Sequence, residues 1–134
     1  MKKMLFIINP RSGREQIRNR LLGILDTFVK AGYETEVYIT QDAGDARRIA
    51  GEKGALKDML VCSGGDGTLN EVISGIMALE RDCRPVIGYI PSGSTNDFAA
   101  SLELPKDMAE AATVAVSGTD YPTDVGKFGA DQYF

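Results

Sequence analysis

Four short apolar segments recur along this chain, and a stretch with helical periodicity follows each of them. Strands are predicted at residues 4–8, 33–39, 59–62 and 86–90, of which the second alternates between polar and apolar residues. Helices are predicted in the intervals and, after the last strand, over about residues 107–116. Strands that alternate with helices imply right-handed crossovers between parallel neighbours. The predicted fold class is therefore α/β, a three-layer α/β/α domain with a mainly parallel sheet.

The chain length fits a single domain. Its 134 residues are enough to bury a core, and no repeat or linker interrupts them before about Gly118. Residues 121–128 and 131–134 are then predicted to form two short strands. Because an apolar strand at the end of the chain would lack a neighbour, we expect the native chain to continue. We assign residues 1–134 to one domain and regard about residues 119–134 as the start of a junction to a second, β-rich domain that is absent from this chain.

The composition excludes several kinds of chemistry. The chain has no histidine, which excludes Ser-His-Asp triads and HExxH zinc sites. Its formal net charge of −4 argues against a dedicated nucleic-acid-binding protein. Cys62 and Cys83 form no CxxC pattern and are predicted to be free thiols in a reducing cytoplasm. No apolar segment is long enough to cross a membrane, so we expect peripheral membrane contact only, which the basic residues near the N-terminus would favour.

Three unusual loops follow predicted strands, at residues 9–13, 64–68 and 93–97. In an open α/β sheet the carboxyl ends of the strands face the ligand, so these loops are expected to converge there. In the second loop, Gly64, Gly65 and Gly67 are expected to adopt positive φ and to bring backbone N–H groups close to a phosphate at a helix N-terminus.

A structural alternative for the second loop is that Thr68 caps the following helix and Glu71 closes a capping box, with the glycines serving only the turn. Both interpretations can hold at once. Ser12 and Glu15 have the same capping-box spacing at the first loop, so phosphate binding there remains one of two interpretations.

Acidic residues in two of the loops predict a divalent cation. Asp66 would repel a bare phosphate, so its position is explained best if magnesium lies between its carboxylate and phosphate oxygens. Asn96 and Asp97 could supply further oxygens, although Asp97 could equally complete a helix cap that begins at Ser94. Neither GxxxxGK[ST] nor GxGxxG follows the first strand, which argues against a P-loop and a Rossmann dinucleotide site.

Taken in order, the three loops resemble the diacylglycerol kinase catalytic domain. The matching motifs are NPxSG at residues 9–13, GGDGTLNE at residues 64–71 and PxGSxNDF at residues 91–98. The GGDG motif also occurs in NAD kinases and 6-phosphofructokinases, but the ordered trio is specific. The chain is most similar to the bacterial soluble lipid kinases, with sphingosine kinases as relatives.

This resemblance implies an ATP-dependent lipid kinase of phospholipid metabolism, which transfers the γ-phosphoryl group of Mg-ATP to a lipid hydroxyl such as that of diacylglycerol. It implies catalytic roles for Asp66 and Asp97 and a magnesium site formed by Asp66, Asp97 and Asp124, although Asp124 alone could equally be a turn residue. Ser94 stands where the family usually has threonine, which keeps the hydroxyl. The nucleotide site that the resemblance implies comprises Asn9, Pro10, Arg11, Ser12, Gly13, Thr40, Gly65, Asp66, Gly67, Thr68, Leu69, Asn70, Glu71 and Ser94.

The largest departure from the family is at the C-terminus. Family members continue into a β-rich domain that binds lipid and supplies the proposed general base, so we expect the chain alone to be inactive. Two alternatives stay open, an NAD kinase-like enzyme and a non-catalytic nucleotide-binding module. The lipid acceptor, which the protein would meet at the membrane surface, and the oligomeric state, a homo-oligomer included, are left open.

Overall fold

Strands and helices alternate along the part of the chain that the structure describes, which in this computed structural model comprises residues 2–11, 14–91 and 108–116. A short 3₁₀ helix at Arg81–Cys83 precedes the last strand. In chain order, the elements are β1 (Lys2–Ile8), α1 (Arg14–Lys30), β2 (Tyr33–Ile39), α2 (Asp45–Lys53), β3 (Met59–Gly64), α3 (Asp66–Met77), β4 (Val86–Pro91) and α4 (Met108–Val116).

All four strands are parallel and lie in the order β2-β1-β3-β4. The chain therefore passes from β1 to β2 at one edge of the sheet, and then crosses back to form β3 on the other side of β1. In this topology the crevice between β1 and β3, beyond their carboxyl ends, is where ligands bind in open α/β sheets. The register brings Ile8 of β1, Ser63 of β3 and Ile90 of β4 side by side at that end.

Helices cover both faces of the sheet, as the three-layer prediction requires. Phe6 and Phe28 pack edge to face between β1 and α1, with ring centroids 5.3 Å apart. The core on the α1 and α4 side contains Met4, Phe6, Ile8, Ile17, Ile24, Phe28, Met59, Val61, Ile90, Ala111 and Ala112. The core on the α2 and α3 side contains Leu5, Ile7, Ala46, Ile49, Ala50, Leu60, Cys62, Leu69, Val72, Ile73, Ile76, Ile87 and Tyr89.

The edge strand β2 departs from its predicted burial. The alternation predicts that Thr35, Val37 and Ile39 form its buried face, but Val37 and Ile39 are 40% and 45% exposed. Tyr38, which the pattern placed on the polar face, instead packs against the core beneath α2 and α3. The physical reason is that an edge strand has a neighbour on one side only, so helices cover it less fully than they cover β1 and β3.

The predicted elements otherwise match within two residues. Helix α2 begins at Asp45, immediately after Gly44, which adopts a left-handed conformation with φ of 89°. Gly32, with φ of 93°, lies in the turn that follows α1. The two strands predicted at residues 121–128 and 131–134 lie outside the described residues.

Both cysteines are free thiols. Cys62 is fully buried, and burial raises the pKa of its thiol to about 12, whereas Cys83 is partly exposed. Among the described helices, none is both long and apolar enough to cross a lipid bilayer.

The close packing of α2 on α3 yields a stability prediction. A Cβ at Gly75 would overlap the carbonyl oxygen of Arg47 and lie 2.9 Å from the Cβ of Ala50, so Gly75→Ala should lower the free energy of unfolding by about 1–3 kcal/mol. Gly23→Ala is the matched control within α1, since its Cβ would meet nothing within 4 Å, and it should raise stability by about 0.5–1 kcal/mol. Urea unfolding measures both changes, and equal effects of the two variants would contradict the packing of α2 against α3.

Candidate functional site

Asn9 links the first loop to the glycine-rich loop. Its backbone N–H donates to the carbonyl oxygen of Ser63 at 2.9 Å, which extends the pairing of β1 with β3 by one residue. Its side-chain oxygen accepts a bond from the N–H of Arg11 at 3.0 Å, which holds the turn. Its side-chain amide donates to the Oγ1 of Thr68 at 2.9 Å, and Thr68 is buried. One half-buried side chain thus connects β1 with the first turn of α3.

The N-cap residue of α3 is Gly65, which has no side chain to cap the helix. Helix α3 begins at Asp66, and the preceding Gly65 is extended, with φ of −89°. The first helical bonds run from the N–H groups of Thr68 and Leu69 to the Gly65 carbonyl at 3.1 Å and 3.2 Å. The amides of Asp66 and Gly67 precede these donors and lie at the positive end of the helix dipole. This arrangement suits an anion such as a phosphate group.

Two details of the predicted loop are wrong. Thr68 is not the cap of α3, because the helix begins two residues before it. The hydroxyl of Thr68 instead accepts a hydrogen bond from the side-chain amide of Asn9. The glycines of the loop do not adopt positive φ either. Gly64 is required for space instead, since a Cβ there would lie 2.6 Å from the Oγ1 and 2.8 Å from the Cβ of Thr68. Gly67, by contrast, is exposed and faces open space.

A tyrosine that the sequence analysis missed lies beneath this loop. Tyr89 of β4 is only 5% exposed, and its hydroxyl donates to the carbonyl oxygen of Gly64 at 3.0 Å. The carboxylate of Asp66 lies near the same hydroxyl. Burial, and then the proximity of Cys62 and Asp66, raise the pKa of Tyr89 well above its ordinary value, so the hydroxyl keeps its proton. The available signal was a tyrosine within an otherwise apolar strand, because a buried phenol usually has a polar partner.

A cleft of about 160 Å³ opens beside the loop, between the ends of β1 and β2 and the start of α3. The Arg11 guanidinium lies at its rim, 3.3 Å from the Gln41 carbonyl oxygen, and the Thr40 N–H donates to the Ile8 carbonyl at 2.9 Å. Nine residues line this cleft: Asn9, Arg11, Thr40, Gln41, Asp42, Ala43, Ala46, Thr68 and Glu71.

Five of the predicted nucleotide-binding residues therefore meet in one cleft, namely Asn9, Arg11, Thr40, Thr68 and Glu71. Sequence reasoning missed the segment after Thr40, since Gln41, Asp42 and Ala43 carry no motif and reach the cleft only because β2 pairs with β1.

The other predicted residues are placed differently. The half-buried Pro10 follows Asn9, and Gly65, Asp66 and Gly67 form the turn beside the cleft. The side chain of Leu69 lies in the core, and Asn70 is exposed. Ser12, Gly13, Ser94, Asp97 and Asp124 lie outside the described residues.

The described residues offer backbone donors to an anion but only part of a metal site. Within the described ranges, no group of three or more acidic, histidine or cysteine side chains could hold a metal ion, and Asp66 is the carboxylate in the turn itself. The hydroxyl of Ser63 is buried at the end of β3, with no hydrogen-bond partner in the described parts of the chain. A phosphate at the turn would thus meet backbone donors, while a cation bound to Asp66 would need further ligands from elsewhere.

Comparisons with known proteins identify the family of this chain. Residues 3–128 match the sequence profile of the family described as the diacylglycerol kinase catalytic domain. The chain is 43% identical over 136 residues to a diacylglycerol kinase of Bacillus subtilis, covering all of this chain and 44% of that protein. It is 44% identical to a diacylglycerol kinase of Staphylococcus carnosus, with 99% and 43% of the two chains covered.

The fold is likewise similar to a crystal structure of a diacylglycerol kinase from Bacillus anthracis, with a TM-score of 0.78 and 32% sequence identity. The similarity covers 88% of this chain and 40% of that one. The chain thus spans less than half the length of the relatives it matches. Since the profile match extends over nearly all of the sequence, this chain belongs to the diacylglycerol kinase catalytic domain family.

Proposed function

We propose that this chain is the nucleotide-binding part of a lipid kinase that transfers the γ-phosphoryl group of Mg-ATP to a lipid hydroxyl. The observation that carries the proposal is the uncapped N-terminus of α3, which lies at the end of β3 with Asp66 in its first turn. A helix N-terminus favours phosphate, and a carboxylate in the same turn favours a cation bound to that phosphate.

Different residues of this chain would bind the phosphates and the nucleoside. The amides of Asp66 and Gly67 would donate to phosphate oxygens, and the exposed Gly67 leaves room for the ligand to approach. Arg11, at the rim of the cleft, would add a charged donor to the same oxygens. The cleft between Thr40 and Glu71 would accept the nucleoside.

Asp66, with Asp97 and Asp124, would hold magnesium. A magnesium ion bound there would neutralise charge on the phosphates during transfer. The contribution of the protein is mainly to fix geometry, because phosphoryl transfer depends on alignment of the donor phosphate with the attacking oxygen. Asn9 serves this purpose by tying the start of α3 to β1 through Thr68.

The lipid acceptor follows from the family. The relatives with more than 40% identity are named diacylglycerol kinases, which favours a lipid hydroxyl over NAD as the acceptor. We place the acceptor pocket and the general base in the part of those proteins that extends beyond the matched region. The reaction would occur at the cytoplasmic membrane surface, with peripheral contact only.

Asp66 provides the first test of this function. In the full-length protein, Asp66→Asn should reduce phosphoryl transfer on the order of 100-fold or more, because it removes the negative charge and keeps the shape of the side chain. Asp26→Asn is the control, since Asp26 is an exposed carboxylate paired with Lys30 on the outside of α1. Activity is measured by transfer of labelled phosphate to diacylglycerol in mixed micelles. Equal activities of the two variants would reject the proposed role of Asp66.

A second test uses residues 1–134 alone. We expect weak, magnesium-dependent ATP binding by calorimetry, since the described contacts lie within one domain. We also expect no lipid phosphorylation, because transfer needs an acceptor oxygen held in line with the γ-phosphate. Clear phosphorylation by residues 1–134 would contradict the placement of the acceptor pocket elsewhere, and absence of ATP binding would contradict the proposed cleft.

A further inference from the structure

One wall of the cleft carries no motif residue. It consists of residues 41–43, which follow β2 and precede α2, and which we call the wall segment. A loop contributes little to binding unless it already has a defined position, because ordering a free loop at the moment of binding costs free energy. The contacts that hold the wall segment therefore determine whether it can form part of the site.

The carboxylate of Asp45, at the start of α2, holds the wall segment. Its Oδ2 accepts hydrogen bonds from the backbone N–H of Gln41 at 2.8 Å and from that of Asp42 at 3.3 Å. The backbone N–H of Asp45 donates in turn to the Asp42 carbonyl oxygen at 3.1 Å. Gly44 lies between them in a left-handed conformation that a residue with a side chain rarely adopts. One carboxylate thus fixes two consecutive amides of the wall segment.

Asp45 is itself held in place and charged. Its Oδ1 accepts a hydrogen bond from the Arg48 guanidinium at 3.3 Å, and its side chain is only 14% exposed. The hydrogen bond from the Gln41 amide, followed by those from Asp42 and Arg48, lowers the pKa of Asp45, so the carboxylate is ionised at neutral pH. On its other side, the Gln41 carbonyl oxygen accepts a hydrogen bond from Arg11 at 3.3 Å. The wall segment is therefore held from both the first loop and α2.

The position and charge of the wall segment suit a nucleoside better than a phosphate. The segment follows the edge strand β2, whereas the turn that begins α3 follows β3, and β1 lies between these two strands. Asp42 adds a carboxylate to the lining of the cleft. A carboxylate repels phosphate oxygens but accepts hydrogen bonds from the hydroxyl groups of a ribose. The wall segment would thus meet the uncharged part of a nucleotide whose phosphates lie at α3.

We propose that Asp45 is a positioning residue that holds residues 41–43 as the nucleoside-side wall of the cleft. This inference rests on the proposed binding of Mg-ATP in the cleft. The described lining of the cleft does not include Asp45, so its carboxylate acts through the backbone of Gln41 and Asp42. A wall that is ordered before the nucleotide arrives lowers the cost of binding without contributing to phosphoryl transfer.

Asp45→Ala tests this role through the difference between KM and kcat. In the full-length protein, the KM for ATP should rise about tenfold, because hydrogen bonds to a charged acceptor are lost. The kcat at saturating ATP should change less than about twofold, since the phosphates and the acceptor are held elsewhere. Transfer of labelled phosphate to diacylglycerol gives both constants, and calorimetry gives the Kd for ATP. A lower kcat with an unchanged KM and Kd for ATP would overturn the inference, because it would indicate only a smaller folded fraction.

Glu52→Ala is the matched control. Glu52 lies on the same helix, also pairs with Arg48, at 3.1 Å, and is 57% exposed. Since the amides of Gln41 and Asp42 bond to Asp45, removal of Glu52 leaves the wall segment in place. We expect the KM for ATP to equal that of the parent protein. An equal rise in both variants would overturn the inference, since it would assign the effect to loss of an ion pair with Arg48.

Asp45→Asn separates the hydrogen bonds from the negative charge. Its side-chain oxygen still accepts hydrogen bonds from the two amides, so the KM for ATP should rise less than about threefold. A KM as high as that of a folded Asp45→Ala protein would overturn the proposed role of these hydrogen bonds. If Asp45→Ala fails to fold, the KM of Asp45→Asn is compared with that of Glu52→Ala, and a rise of tenfold or more in Asp45→Asn has the same meaning.

A measurement on the parent protein needs no variant. Saturating Mg-ATP should slow amide hydrogen exchange at residues 41–43 by about threefold or more, because the nucleoside would cover and further order the wall segment. Residues 55–57 are the reference, since they precede β3 at the opposite end of the sheet and should exchange at an unchanged rate. If Mg-ATP binds without slowing exchange at residues 41–43, only the inference about the wall segment fails. If the full-length protein binds no Mg-ATP, the proposed function fails.

Discussion

The parallel pairing of β1 with β3 determines where every described part of the site can lie. These two strands are adjacent although α1, β2 and α2 separate them in sequence. Their pairing brings the residue after β1 against the end of β3, where the Asn9 N–H bonds to the Ser63 carbonyl. The side chain of Asn9 can therefore reach Thr68 in the first turn of α3. A shift of one residue in this register would turn the side chains of one strand to the opposite face and displace the two loops relative to each other.

Contacts with β1, β4 and α3 hold the glycine-rich turn in place. Gly64 leaves space for the Thr68 side chain, and Thr68 in turn accepts the bond from Asn9. Tyr89 supports the turn from below through the Gly64 carbonyl. The turn is thus held from β1, β4 and its own helix, while Gly67 faces open space. A rigid support with one exposed side is the arrangement that close approach of a phosphate requires.

Much of the fold and the centre of the site could be predicted from the sequence. Continuous apolar segments identified β1, β3 and β4, and the motif residues Asn9 and Thr68 meet in the cleft as expected. Contacts that depend on tertiary position could not be predicted in this way. Gln41 and Asp42 enter the cleft through the neighbouring strand, and the Gly64 carbonyl that accepts the bond from Tyr89 lies on a different strand. The sequence also could not show that Gly64 leaves space for the Thr68 side chain. A glycine can be required either for a positive φ or for lack of room for a Cβ, and the sequence does not distinguish the two.

The charges around the cleft explain why a nucleotide would need a cation here. Arg11 is the cationic residue among the described side chains that line the cleft, whereas Asp42 and Glu71 line it with carboxylates. Asp66 adds a third carboxylate in the adjoining turn. A bare triphosphate would meet more negative than positive side chains, and the partial charge of one helix terminus is too small to offset that repulsion. Under the proposed function, a divalent cation would reverse the sign of the interaction at Asp66, so the carboxylate that would oppose free nucleotide would favour its magnesium complex.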